Sequence, residues 1–279
     1  MSNQLKHHKP FDGWSLDDRD PKFLEAMMPI WEWFYRYYFQ VRTDGWEHIP
    51  SSGKFLAVGE HNGGLSAPDM YMFMYDWCRL FGTARPLYGL THPNIWKLPN
   101  IVWENAAKCG SVVAHPQMAM SAFQRNAAVS VYPGGAADVF RPHSMKDQIY
   151  FAERRGFIKL ALREEVPIIP MISTGTHDTL IVLTDIYPLM RQLNEWGLPW
   201  AFDVDPEVFP IYLGLPWLIG IGPLPNFPLP VRMRTRVGRP IEFKRYGRKA
   251  AKDRDYVDEC YELVRKEMQA DLDDLIRIT

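Results

Sequence analysis

The apolar run Phe55-Leu56-Ala57-Val58 leads into Gly59-Glu60-His61-Asn62-Gly63-Gly64-Leu65-Ser66-Ala67-Pro68-Asp69, and a second apolar stretch, Met70 to Leu80, follows at once. The short run reads as a buried strand and the longer one as a buried helix. A strand that passes through a glycine-rich turn into a helix is the junction at which α/β folds place their ligands. It sets His61 at the carboxyl end of the strand and Asp69 at the start of the helix, just after Pro68. The adjacent Gly63 and Gly64 let backbone amides approach a ligand closely. Two readings fit these residues about equally. In one, His61 is a base, Asp69 orients it and the amides bind. In the other, Pro68 and Asp69 merely suit a helix start, the glycines form a plain turn and His61 is a satisfied core histidine.

The same alternation continues downstream. Strands are expected at Arg85 to Leu90, Gly110 to Ala114, Ala128 to Tyr132 and Val166 to Ile172, and an antiparallel or edge strand at Val231 to Val237. Helices are expected at Pro93 to Cys109 with a break near Pro99, at Met118 to Asn126 and at Lys146 to Glu164. Strands alternating with helices predict an α/β fold, a mostly parallel central sheet flanked by helices on both faces. The chain has 279 residues, and residues 21–279 read as a single domain behind a flexible, surface-draped arm over residues 1–20.

Charge and cysteine content exclude several partners. The 32 basic and 33 acidic residues give a net charge of −1 with no long Lys/Arg run, so nucleic acid is not an expected partner. Cys78, Cys109 and Cys260 are widely separated and odd in number, which fits a reducing compartment better than a disulfide framework. Met1 to Pro10 lacks the apolar core of a signal peptide.

Aromatic residues make up 14% of the chain, a surplus that suits a large core or contact with a membrane interface. They concentrate in a helix expected over residues 21–41, capped by Asp20, where Trp31 to Phe39 carries rings on more than one face. This helix is read as partly packed on the core and partly in contact with lipid. Val208 to Val231 carries no charged side chain and is broken by prolines at 210, 216, 223, 225, 228 and 230. So many prolines forbid a spanning helix, leaving a buried segment or a loop that dips into the interface. Residues 253–278 form an amphipathic packing helix with Val257, Tyr261, Val264, Met268, Leu272 and Leu275 in one stripe.

Four segments in order resemble the lysophospholipid (glycerolipid) acyltransferase superfamily. They are His61 to Asp69, Tyr132-Pro133-Gly134-Gly135, Arg155-Gly156-Phe157-Ile158-Lys159-Leu160-Ala161 and Val166-Pro167-Ile168-Ile169-Pro170. Val237-Gly238-Arg239-Pro240-Ile241 is similar to a late element of the same superfamily, and the Pro-Gly-Gly form looks like the diacylglycerol acyltransferase branch. The resemblance implies an O-acyltransferase lying peripherally on the cytoplasmic side of a membrane. It would move a fatty acyl group from acyl-CoA or acyl-ACP to a lipid hydroxyl, with no cofactor and no metal. His61 and Asp69 would be catalytic; Gly63, Gly64, Tyr132, Pro133, Gly134, Gly135 and Arg141 would bind substrate, the two glycine pairs offering amides to the oxyanion. The chain departs from the pattern twice. Seven residues separate His61 from Asp69, a longer turn than the family's, with Ser66 where a shorter turn would place the acid. Ala114-His115-Pro116-Gln117 lacks the family's arginine, leaving a neutral acceptor or a phosphate held by Arg141 or Lys146.

Other classes remain as alternatives. One is a non-catalytic lipid-binding relative. Another is a metal-dependent hydrolase in which His177 and Asp178 join His61 and Asp69, although their spacing matches no metal motif. The lack of a Gly-x-Ser-x-Gly elbow argues against a serine hydrolase. Arg154, Arg155 and Lys159 read as a solvated helix face.

Overall fold

The computed structural model describes residues 11–97, 99–200 and 205–278. A seven-stranded sheet forms the centre. Its strands are β1 (Arg42–Asp44), β2 (Leu56–Gly59), β3 (Leu87–Thr91), β4 (Ser111–Val113), β5 (Ala128–Val131), β6 (Ile168–Thr174) and, last in the chain, Arg234–Val237. Spatially β6, β2, β5, β3 and β4 lie side by side and parallel, and Arg234–Val237 pairs antiparallel with β6 and parallel with β1. The expected mostly parallel sheet is therefore present, and His61 follows one of its inner strands.

Alternating strand residues feed two cores, as parallel strands covered on both faces must. Leu56, Val58, Val129 and Ile168 face the helices Pro116–Gln124, Gly156–Glu164 and Arg254–Arg277. Phe55, Ala57, Ala128 and Ile169 face α1 (Pro21–Trp33) and α2 (Pro68–Phe81). Asp253 caps the C-terminal helix by accepting from the Tyr256 N–H, and the whole expected stripe from Val257 to Leu275 is buried.

The structure departs from expectation in several places. Residues 1–10 of the expected arm lie outside the described residues, but residues 11–20 are tied down. Leu16 is buried in the core, Tyr88 Oη donates to its carbonyl, and Arg19 donates to the carbonyls of Thr83 and Arg85. The helix expected from Lys146 begins only at Gly156. Before it, Ile149 and Phe151 are drawn into the core, and Ala152 and Glu153 take positive φ to turn the chain. Finally, the aromatic helix stays α-helical only to Trp33 and continues as a π turn over Phe34–Tyr38.

The uncharged, proline-rich segment is partly buried and folds into strands rather than a loop. It builds β8 (Pro210–Gly214) and β9 (Leu218–Ile221), which with β7 (Ile181–Asp185) form a small antiparallel sheet. Tyr212 packs into a satellite core with Leu180, Val182 and Phe140, while Leu218 and Ile219 at the turn are 73% and 64% exposed. Gly220 permits this, because a Cβ there would fall 2.1 Å from the Tyr212 ring.

Candidate active site

The paired strands β2 and β5 end side by side, with Val58 opposite Val131, so the His61 and Tyr132 turns emerge together. The two rings pack with centroids 4.8 Å apart. Gly59 makes room for this contact, since a Cβ there would lie 2.6 Å from Tyr132 Cε1. From the start of α2, Asp69 reaches back so that its Oδ2 lies 2.9 Å from His61 Nδ1. A carboxylate only accepts, so the proton sits on Nδ1 and leaves Nε2 as the basic nitrogen. The seven-residue turn therefore does not part the pair. Ser66, the alternative acid position, instead donates from Oγ to the Gly63 carbonyl at 2.8 Å and staples the turn.

His61 feels opposing influences. Burial lowers its pKa, but the Asp69 carboxylate, the hydrogen bond to it and the nearby Asp138 carboxylate prevail and hold it above 6.5. Tyr132 is pushed well above 10.0 by burial and by Asp69, so its phenol stays neutral.

Gly63 and Gly64 both adopt positive φ, which L side chains rarely tolerate. Protein also fills the space beside them. A Cβ on Gly63 would lie 2.6 Å from Pro68 Cδ, and one on Gly64 would lie 2.6 Å from Leu180 Cδ2. In the second turn, the Gly135 N–H donates to the Tyr132 carbonyl at 3.1 Å and is spent on the turn itself. A Cβ on Gly134 would strike Asp138, while Pro133 accepts from Arg154 through its carbonyl at 3.4 Å.

Arg141 does not fill the expected role of a phosphate ligand. It is 2% exposed and donates to Glu60 Oε2 at 3.0 Å and to Asp138 Oδ1. Freeing its guanidinium for a substrate would strand two buried carboxylates. This network supports the site from behind. Asp138 Oδ2 accepts the backbone N–H of His61 at 2.7 Å, and Glu60 Oε1 accepts the N–H of Ser173 on β6 at 3.0 Å. Burial, against the pull of Arg141, raises Asp138 to about 7. Glu60 and Asp138 were missed as site residues. Their signal is an acid beside apolar residues, Glu60 directly after Leu56–Gly59 and Asp138 after Ala136 and Ala137, where only a buried partner makes a charge tolerable.

His177 and Asp178 do not join the His61 site through the contacts described. Burial, then the nearby Arg141, His143 and Lys146, drives His177 down to about 2, while Asp178 accepts from His143 and Lys146 at 2.6 and 3.3 Å. Among the described residues, no three His, Cys, Asp or Glu side chains converge as a metal would require. Arg155 is occupied by Asp258 and Glu153 and covers the Tyr261 ring.

Sheet order and helix placement define a glycerolipid acyltransferase-type α/β fold. The crystal structure of the 1-acyl-sn-glycerophosphate (LPA) acyltransferase PlsC from Thermotoga maritima is similar, with a TM-score of 0.51 over 90% of this chain and 79% of that one at 14% identity. The chain belongs to the diacylglycerol acyltransferase family, whose profile matches residues 115–269. Uncharacterized proteins of Mycobacterium tuberculosis and Mycobacterium leprae are each 29% identical over 254 residues, which is 91% of this chain. The chain spans only 66% and 65% of their lengths. The family match includes the Tyr132 turn and Asp138 but not the His61–Asp69 segment, so the role of that pair rests on geometry.

Proposed function

We propose that the protein is a membrane-peripheral O-acyltransferase that moves a fatty acyl group from an acyl thioester, of coenzyme A or acyl carrier protein, to a lipid hydroxyl. The observation that carries this reading is the 2.9 Å contact between His61 Nδ1 and Asp69 Oδ2 at the end of β2. Nε2 takes the proton of the acceptor hydroxyl as its oxygen attacks the thioester carbonyl. Asp69 stabilises the imidazolium so formed. Collapse of the tetrahedral intermediate breaks the C–S bond, and the imidazolium returns the proton to the departing thiolate. No protein nucleophile is consumed. With Arg141 locked in its ion pairs, the arrangement favours a neutral acceptor over a phosphate-bearing one.

The pH dependence tests the base directly. His61 must be neutral to act, and its pKa lies above 6.5, so kcat/KM should rise with pH along a limb whose midpoint is above 6.5. Asp69→Asn removes the main upward pull and leaves burial dominant. The limb should then move to lower pH while turnover falls more than substrate binding. A limb below 6.5 in the wild type, unmoved in Asp69→Asn, would show that another group is the base.

For the membrane contact, two exposed apolar elements adjoin. Tyr38, at the end of the aromatic helix, donates to the Pro228 carbonyl and packs edge-on against Phe227 beyond the hairpin. Trp33 and Tyr37 are 51% and 68% exposed on that helix, and no described helix is long and apolar enough to cross a membrane. Aromatic rings prefer the headgroup level, and an uncharged hairpin costs little to insert beside them. With a net charge of −1, docking should depend only weakly on salt. Replacing Trp33 and Tyr37 with serine should weaken vesicle binding by roughly tenfold or more with melting unchanged. Intact vesicle binding with a large fall in Tm would mean that these rings serve the core. The three free cysteines support a reducing compartment, and we place the docked enzyme on the cytoplasmic face.

A further inference from the structure

The turn between His61 and Asp69 is longer than the chemistry requires, and it is held from outside. Gly63 and Ala67 both stand in the left-handed region on either side of a short helical turn, Gly64–Ser66. Ala67 has φ 41°, a conformation that a non-glycine residue rarely adopts and that persists only where its surroundings impose it. Asn226 holds the turn on the residues either side of Leu65. Its Nδ2 donates to the Gly63 carbonyl at 3.0 Å and to Ser66 Oγ at 3.1 Å, and its Oδ1 accepts the Ser66 N–H at 3.3 Å. The reverse amide orientation would set Oδ1 against the Gly63 carbonyl, so this network fixes which end donates.

Asn226 is itself immobilised. Trp217 Nε1 donates to the Pro225 carbonyl at 2.7 Å, the Phe227 N–H donates to Leu215 at 2.8 Å, and the Leu229 N–H donates to Thr179 at 2.9 Å. These bonds make the anchor part of the small sheet that bears the exposed apolar hairpin. Gly64 completes the fit, since a Cβ there would lie 2.7 Å from Asn226 Oδ1.

We infer that Asn226 is a positioning residue that sets the His61–Asp69 geometry by clamping the Gly63–Ser66 turn to the accessory sheet. The inference rests on the reading of that pair as catalytic. Without the clamp the long turn can relax, and a displacement near 1 Å at a reacting group is enough to cost about a hundredfold in rate. Asn226→Asp keeps the size and the acceptor but loses both donated bonds, and Asn226→Ala loses all three.

The test combines steady-state kinetics, with an acyl-coenzyme A donor and vesicle-borne diacylglycerol, and NMR titration of the His61 imidazole in folded protein. In Asn226→Asp we expect kcat to fall by about tenfold or more with KM nearly unchanged. In Asn226→Ala, which adds no charge beside the turn, the His61 pKa should shift downward, because Asp69 is held less closely. General destabilisation would lower activity through the folded fraction and leave the pKa of folded molecules in place. An unshifted His61 pKa in Asn226→Ala, or wild-type kcat in folded Asn226→Asp, overturns the inference. If only Asn226→Ala folds, the same readouts apply to it. His61→Ala is the reference: its retention of activity would fail the reading of the pair, whereas an inactive His61→Ala beside an unaffected Asn226 variant fails this inference alone.

Discussion

Arg141→Ala is expected to destabilise the protein by about 3–5 kcal/mol, a large share of the roughly 5–15 kcal/mol that holds a domain folded. The guanidinium is 2% exposed and is the charged partner of Glu60 and Asp138, both inside the protein. Removing it leaves two buried carboxylates facing each other without compensation. They would take up protons or draw in water, and either response loosens the residues they hold, including the His61 backbone. The loss should appear as a lower denaturant midpoint with unchanged slope. Replacing all three charges together (Arg141→Met, Glu60→Gln and Asp138→Asn) should recover much of it, because both amides still accept the N–H bonds of Ser173 and His61. A phosphate-binding Arg141 would behave differently, raising KM while leaving stability almost unaffected.

Arg141 also marks the limit of what the residues disclose before folding. A basic side chain shortly after a glycine turn looks like a substrate ligand when only spacing is visible. Its fate depends on which carboxylates the fold brings to it, and Glu60 lies 81 residues away. Ser66 poses the same problem on a smaller scale, because its position alone cannot tell an orienting group from a turn staple.

Features set by local pattern were legible. The C-terminal stripe, the apolar strands and the helix start at Pro68 follow from periodicity and capping, which act within a few residues. The segment after Lys146 misled because its helix-forming composition was overridden by the burial of Ile149 and Phe151. Within the prolines of 208–231 the alternation was too short to announce a hairpin, although the bar on a regular helix was correct. The clamp by Asn226 had no sequence signal, since it joins residues 160 or more apart.

The largest effect on activity is expected at His61. Its side chain is 16% exposed, packs on Tyr132 and is hydrogen-bonded through Nδ1, and it belongs to none of the main cores, so truncation removes the basic nitrogen without opening them. Loss of a general base costs on the order of a hundredfold or more, because the acceptor hydroxyl then has to attack while still holding its proton. The Asn226 clamp and the Asp138 bond to the backbone of residue 61 remain in place, so the fold should be retained, with a lower Tm because Asp69 loses its imidazole partner. Transfer of labelled acyl groups from a long-chain acyl-coenzyme A to diacylglycerol in vesicles, compared between wild type and folded His61→Ala, is the most direct test. A fall of roughly a hundredfold or more in the folded variant is the result predicted; transfer by the folded variant at the wild-type rate would contradict the assignment of His61 as the base.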